Sequence, residues 1–215
     1  MDFNQEKKNG FFKTYSYEIT KLFINQIGIT IFSLVLYTAA ASIEDNDLFA
    51  KVRTILSVFA VIFFYALLYT AAWDYGAKDK IRIDSGKFVG SKYAGLKMAI
   101  FANLPNIALG FLAVLFMGLY ILTGTSGFYT AFGVFNLIIR FLSAMFLGVI
   151  QGIFSFLETA DVESKQYLYY FFWQSVGYLV VPLFTIAVTH LGYLFGFKEK
   201  RIFKFSSIAK KAEHK

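Results

Sequence analysis

The chain has 215 residues, 57% of them hydrophobic and only 16% charged, with a mean hydropathy of +0.56. A soluble domain carries about 25% charged residues, and one of this size could not bury so many long apolar runs, so a soluble globular protein is excluded. There is no cysteine, which removes disulfides, thiolate metal sites and a cysteine nucleophile, and the net charge of +7 collects at the ends of apolar runs, where topology and anionic headgroups account for it without nucleic acid.

The expected fold is an all-α, multi-pass transmembrane helical bundle with short loops. Residues 1–21 form an amino-terminal segment in which Phe11, Phe12, Tyr15, Ile19, Leu22 and Phe23 recur at helical spacing between Lys13, Glu18 and Lys21. Two readings of it are open: a helix lying in the headgroup plane, or the flared start of the first span. The transmembrane domain is expected over residues 22–197. Span one covers about 22–42 and an acidic connection carries Glu44, Asp45 and Asp47. Span two covers about 52–73 and ends on the aromatic anchor Trp73-Asp74-Tyr75.

Residues 74–97 then read as the longest polar connection, basic and therefore cytoplasmic, with Gly76, Gly86, Gly90 and Gly95 punctuating it. The stretch 98–157 is almost wholly apolar, with Arg140 its only charge. A second acidic connection, 158–166, leads into the aromatic run 167–173 and a last span reaching about residue 197. The tail 198–215 carries seven basic and two acidic residues and is expected on the cytoplasmic face.

The number of crossings depends on 98–157. Splitting it once, at 123–127, yields five spans, but it divides lysine and arginine almost evenly between the two faces and puts the basic tail outside. Three crossings with Arg140 at the cytoplasmic surface yield six spans. All lysines and arginines except Lys51, Arg53 and Lys165 then lie inside, together with both termini. That arrangement also spares Arg140 the roughly 2.5–3.5 kcal/mol cost of a charge at a helix centre. Six crossings are therefore favoured over five, although 141–157 has the minimum length for a span. A partly re-entrant segment between 128 and 140 is a variant of the same reading.

No HExxH, GxSxG, P-loop or dinucleotide motif is present, so no cofactor, metal or catalytic residue is expected. The polar residues within the spans are the candidates for function. Asn103 and Asn106 flank Pro105 roughly 9–14 Å past Lys97, and Pro105 leaves the Phe101 carbonyl without its helical partner, as Pro182 does that of Tyr178. Such kinks line polar sites in transporters, or are simply packed with the asparagines bonding across helices. With six crossings Asn103, Asn106, Arg140 and His190 share the cytoplasmic half. They would form a vestibule in which Arg140 meets an anionic headgroup or metabolite, unless Arg140 merely snorkels to lipid phosphate. Ala144, Gly148 and Gly152, and again Gly192 and Gly196, repeat the small-xxx-small spacing of close helix packing.

The segment from His190 through Gly192-Tyr193-Leu194-Phe195-Gly196 to Lys204 resembles the close of small, uncharacterised multi-pass membrane proteins of Gram-positive bacteria. The resemblance covers about the last thirty residues and implies a cytoplasmic carboxy terminus and no catalytic residue. The expected function is a non-enzymatic, transport-related or accessory subunit of a bacterial cytoplasmic-membrane complex. The alternative is a lipid-modifying or lipid-moving enzyme using the cytoplasmic polar cluster. Expected partners are membrane lipids, whose anionic headgroups meet the basic loops, and a membrane-protein partner or second copy of the chain.

Overall fold

A computed structural model describes residues 10–200 except 41, 44, 87 and 158–164, with the side chains of 40, 46 and 47 also outside the description. The acidic connection 158–164 and the tail from 201 thus lie outside the described residues. Every regular element among those described is helical: α1 (Phe11–Ala40), α2 (Asn46–Asp84), α3 (Ala94–Thr123), α4 (Ser126–Leu142), α5 (Leu147–Ile153) and α6 (Lys165–Phe197). Residues 11–21, for which a separate surface helix was one expectation, run without a break into α1. Likewise α2 continues past Tyr75 to Asp84, so its connection to α3 is residues 85–93 and not 74–97.

Local chemistry sets several of these ends. The Leu48 amide donates to Asp45 Oδ1 at 3.0 Å, which caps the start of α2. Thr123 is followed by Gly124 at φ 68°, a left-handed conformation that glycine adopts without strain, and the Gly124 amide closes α3 by donating to the Tyr120 carbonyl. Only Thr125 then separates this cap from α4, so α3 and α4 form a tight antiparallel hairpin in which Phe116 stacks on Phe135 and Tyr120 meets Tyr129.

Four helices (α1, α2, α3 and α6) are long and apolar enough to cross a membrane; α4 and α5 reach that standard only together, across an 86° bend. Among the described residues the helices of spanning length therefore number four, or five with the bent pair counted as one, and do not by themselves supply six crossings. The segment expected as a crossing at 141–157 is not one helix. It is the end of α4, a turn at Ser143, a 3-10 turn over Ala144–Phe146, the seven-residue α5 and a second 3-10 turn over Ser155–Leu157.

The directions of the helices follow from their contacts. Gly192 meets Tyr69 and Gly196 meets Trp73, so α6 runs parallel to α2. Gly95 meets Tyr193, Gly110 meets Leu179 and Gly118 meets Phe172, so α6 runs antiparallel to α3. On α1, Tyr15 meets Asp79 and Tyr37 meets Phe49, so α1 and α2 are antiparallel. It follows that α3 ends, and α6 begins, at the same end of the bundle. The intervening α4 descends from that end, turns at Ser143, and α5 leads back along the first half of α2, with Gly148 against Arg53 and Gly152 against Thr54.

The protein is apolar outside and mixed inside. Ile55, Phe59, Ile62, Phe63, Leu183 and Phe184 are exposed, whereas Gln26, Thr30, Ser57, Asn106, Gln174 and Thr189 are buried. Such an inversion suits a hydrocarbon solvent, in which exposed apolar side chains cost nothing and polar ones must find partners within the protein.

Candidate functional site

The bend between α4 and α5 frees backbone groups that a continuous helix would have paired, and neighbouring helices supply the partners. Thr30 Oγ1 of α1 donates to the Leu142 carbonyl at 2.8 Å. Ser57 Oγ of α2 donates to the Met145 carbonyl at 2.5 Å and accepts the Val149 amide at 3.2 Å. Irregular backbone at membrane depth is tolerated only when it is buried in protein and bonded in this way. Gly148 lets the turn approach α2, since a Cβ there would lie 2.6 Å from the Arg53 carbonyl oxygen.

This turn carries Arg140, the basic residue of the last turn of α4. Its Nη2 donates to Gln174 Oε1 of α6, and its guanidinium lies 5.3 Å from the Phe171 ring centroid. Around that bond are polar atoms with no partner: Arg140 Nε, Gln174 Nε2 and the Tyr178 hydroxyl, with Gln174 and Tyr178 both wholly buried. Arg53 of α2 is a second cation within electrostatic reach of Tyr178, and its Nε is also buried without a partner. Arg53, Ser33, Tyr37, Ser57 and Gly148 line a space of about 10 Å³, room for about one water-sized species. Among the described residues the ion pairs are Lys80 with Asp84 and Arg82 with Asp79, so neither Arg140 nor Arg53 has a carboxylate partner. A cation held against a neutral amide, with no counter-charge among the described residues, makes a site that favours an anion.

A second polar centre closes the opposite end of the bundle. Asp79 is 4% exposed, and its Oδ2 accepts the hydroxyls of Tyr15 and Tyr193, each at 2.7 Å. Tyr193 OH also lies 3.4 Å from the Ser91 carbonyl, and Arg82 Nη1 stands 3.8 Å from Asp79 Oδ1. One carboxylate thus joins α1, α2, α6 and the connection into α3. Sequence reading placed Asp79 among loop charges. The stripe Phe64, Leu68, Ala72, Tyr75, Asp79, buried throughout, would have flagged it as a buried helical position.

The residues expected to share one vestibule are distributed along the bundle. Gln174, the partner of Arg140, lies between Phe172, which faces Gly118, and Leu179, which faces Gly110. Asn103, Asn106 and His190 lie on the other side of that level, toward Tyr193 and Gly95. Asn103 Nδ2 donates to the Ala99 carbonyl at 2.9 Å instead of serving Phe101, and both polar atoms of Asn106 are buried without partners, as is His190 Nδ1. Both α3 and α6 continue through Pro105 and Pro182.

Of the small residues, Ala144 sits in the 3-10 turn, Gly148 and Gly152 face α2 from α5, and Gly192 and Gly196 seat α6 on the backbone of α2. Gly76 and Gly95, expected as loop punctuation, lie within helices, where each makes room for Tyr193. Among the described residues no group of three or more His, Asp or Glu side chains could hold a metal ion. No protein-family model, curated protein or solved structure matches the chain.

Proposed function

We propose that this chain is an integral protein of a bacterial cytoplasmic membrane with four crossings and a re-entrant α4–α5 hairpin, which holds an anionic group at Arg140. In this arrangement both termini and the 85–93 connection face the cytoplasm, and the hairpin enters from the opposite face. Most lysines and arginines then lie inside, with Lys51, Arg53 and Lys165 outside and Arg140 within the hairpin, in accord with the positive-inside bias. The bacterial setting rests on the resemblance of the carboxy-terminal segment from His190 to Lys204. The observation that carries the anion reading is Arg140 bonded to a neutral amide, beside unpartnered polar atoms of Gln174 and Tyr178 and, among the described residues, with no acid paired to it. In this reading the role is binding or conduction, as in a transport-related or accessory subunit.

The test is stabilisation by anions. Full-length protein in phosphatidylcholine nanodiscs, melted across a titration of inorganic phosphate and of chloride against gluconate at fixed ionic strength, is expected to show a saturable rise in Tm for one of the two. A ligand present at about a hundred times its Kd stabilises by about 2.7 kcal/mol. Arg140→Gln is expected to abolish the rise and Arg140→Lys to retain part of it. A wild-type protein without a saturable response, or an Arg140→Gln variant with the same response, refutes the reading.

A further inference from the structure

The seam between α1 and α2 contains two spaces, one after the other along α2. Near the end carrying the termini, Tyr15, Glu18, Tyr75, Lys78, Asp79 and Arg82 line a cavity of about 270 Å³. One turn further along α2, beginning at Asp74, an apolar groove of about 530 Å³ lies between Gly28 and Ile29 of α1 and Phe64, Leu67 and Leu68 of α2. Ile24 and Leu67, on the walls of the groove, are exposed to the surroundings, so it opens sideways into the hydrocarbon. Tyr75, on the wall of the polar cavity, and Asp74, at the start of the groove, are neighbours in α2.

The polar cavity is incompletely bonded. Tyr75 is 7% exposed and its hydroxyl has no partner, and Glu18 Oε2 is buried with none. Asp79 spends Oδ2 on two tyrosines, while Oδ1 has only Arg82 at 3.8 Å, beyond hydrogen-bond length. The deep wall therefore offers two carboxylate oxygens and a phenol, and the outer rim offers Lys78 and Arg82. A ligand that satisfies both carries N–H donors on a positive charge and an anionic group a few bonds away. The apolar groove below adds an acyl chain.

We propose that this seam holds one phosphoethanolamine-headgroup lipid from the leaflet facing the chain termini. Its ammonium donates to Glu18 and Asp79, its phosphate lies beside Lys78 and Arg82, and one chain fills the groove over Gly28. A glycerol headgroup offers hydroxyl donors but no positive charge to balance Glu18 and Asp79. A choline headgroup has no N–H to donate. The site is at the opposite end of the bundle from Arg140 and does not depend on the anion reading.

The test uses the full-length chain in bilayers of equal parts phosphatidylethanolamine, phosphatidylcholine and phosphatidylglycerol, followed by extraction and mass spectrometry of the retained lipid. Charge-assisted hydrogen bonds to a buried carboxylate predict an enrichment of the ethanolamine lipid over the choline lipid of about tenfold. Glu18→Gln is expected to bring that preference close to unity. Gly28→Phe should displace the lipid, and it is expected to fold, because a Cβ at Gly28 would meet nothing within 4 Å. Arg140→Gln should leave the preference unchanged, and Tm measured for each variant confirms a folded chain. Equal retention of the three lipids by the wild type overturns the proposal. So does an unaltered preference in Glu18→Gln, undiminished lipid in Gly28→Phe, or a preference lost in Arg140→Gln.

Discussion

Ser57→Ala tests whether the α4–α5 turn is held by side chains from other helices. Ser57 is 8% exposed and performs two tasks with one hydroxyl: it donates to the Met145 carbonyl at 2.5 Å and accepts the Val149 amide at 3.2 Å. Alanine leaves both backbone groups without their side-chain partner. A net hydrogen bond is worth about 1 kcal/mol, and an orphaned buried group costs about 1–3 kcal/mol. Interhelical hydrogen bonds in membrane proteins average about 0.6 kcal/mol, so the expected loss for the two together is about 2 kcal/mol. The assay is reversible unfolding by SDS in mixed micelles, with Thr38→Ala as the control. Thr38 is exposed and bonds only to carbonyls of its own helix, so its loss is expected to be within about 0.5 kcal/mol. Thr30→Val removes the bond to the Leu142 carbonyl and should cost about 1 kcal/mol. Because both residues secure one turn, the double variant should depart from additivity. If Ser57→Ala is no more destabilising than Thr38→Ala, the turn does not depend on α2 and the account of the hairpin fails.

Three further outcomes follow from the packing and the polar centres. Gly196→Ala places a methyl group against the backbone of Trp73, 2.9 Å from its Cα and closer still to its carbonyl oxygen, and should destabilise by about 1–3 kcal/mol, whereas Gly28→Ala should be nearly neutral; equal SDS midpoints would contradict this. Asp79→Asn replaces two charge-assisted bonds by weaker neutral ones and should cost about 1–3 kcal/mol, with faster proteolysis of the 85–93 connection as the local readout; unchanged cleavage argues against Asp79 as the tie. Since the chain has no cysteine, single cysteines at Ser91, Thr125 and Ser155 can be labelled with a membrane-impermeant thiol reagent. Thr125→Cys and Ser155→Cys should react from the same face and Ser91→Cys from the other; a Ser155 on the Ser91 side would make the hairpin a crossing.

The fold class and the presence of α1, α2, α3 and α6 were legible because membrane helices announce themselves by length and hydropathy, which are local properties. The boundaries were less so. Charged residues 78–84 read as a loop, yet they form the last turns of α2, since a helix leaving the membrane keeps its backbone bonds whatever its surface carries. Asp79 was misassigned for the same reason. Its burial is made by Tyr15 and Tyr193, which lie 64 and 114 residues away in the chain. Gly76 and Gly95 punctuate a polar stretch of sequence, yet their reason for being glycine is Tyr193, a residue on another helix. Arg140 was recognised as the informative charge, but its partner Gln174 was not, because a glutamine in an aromatic helix gives no signal until the register of α4 against α6 is known.

The counting of crossings shows why charge alone could not settle this architecture. Two extra spans and one re-entrant hairpin both return the chain to the face it left, so they distribute every terminal and loop charge identically. They differ only in where Arg140 sits and in whether 141–157 can exist as one helix. A single helix over that segment would satisfy its own backbone but place its seventeen residues at the lower limit of a bilayer's thickness. A broken one needs donors from elsewhere, and Thr30 and Ser57 supply them from residues 112 and 88 positions away from the carbonyls they meet. The hairpin therefore depends on the prior assembly of α1 and α2. In the proposed four-crossing arrangement that turn carries Arg140 to the interior, where a counter-charge from outside the chain would be felt most.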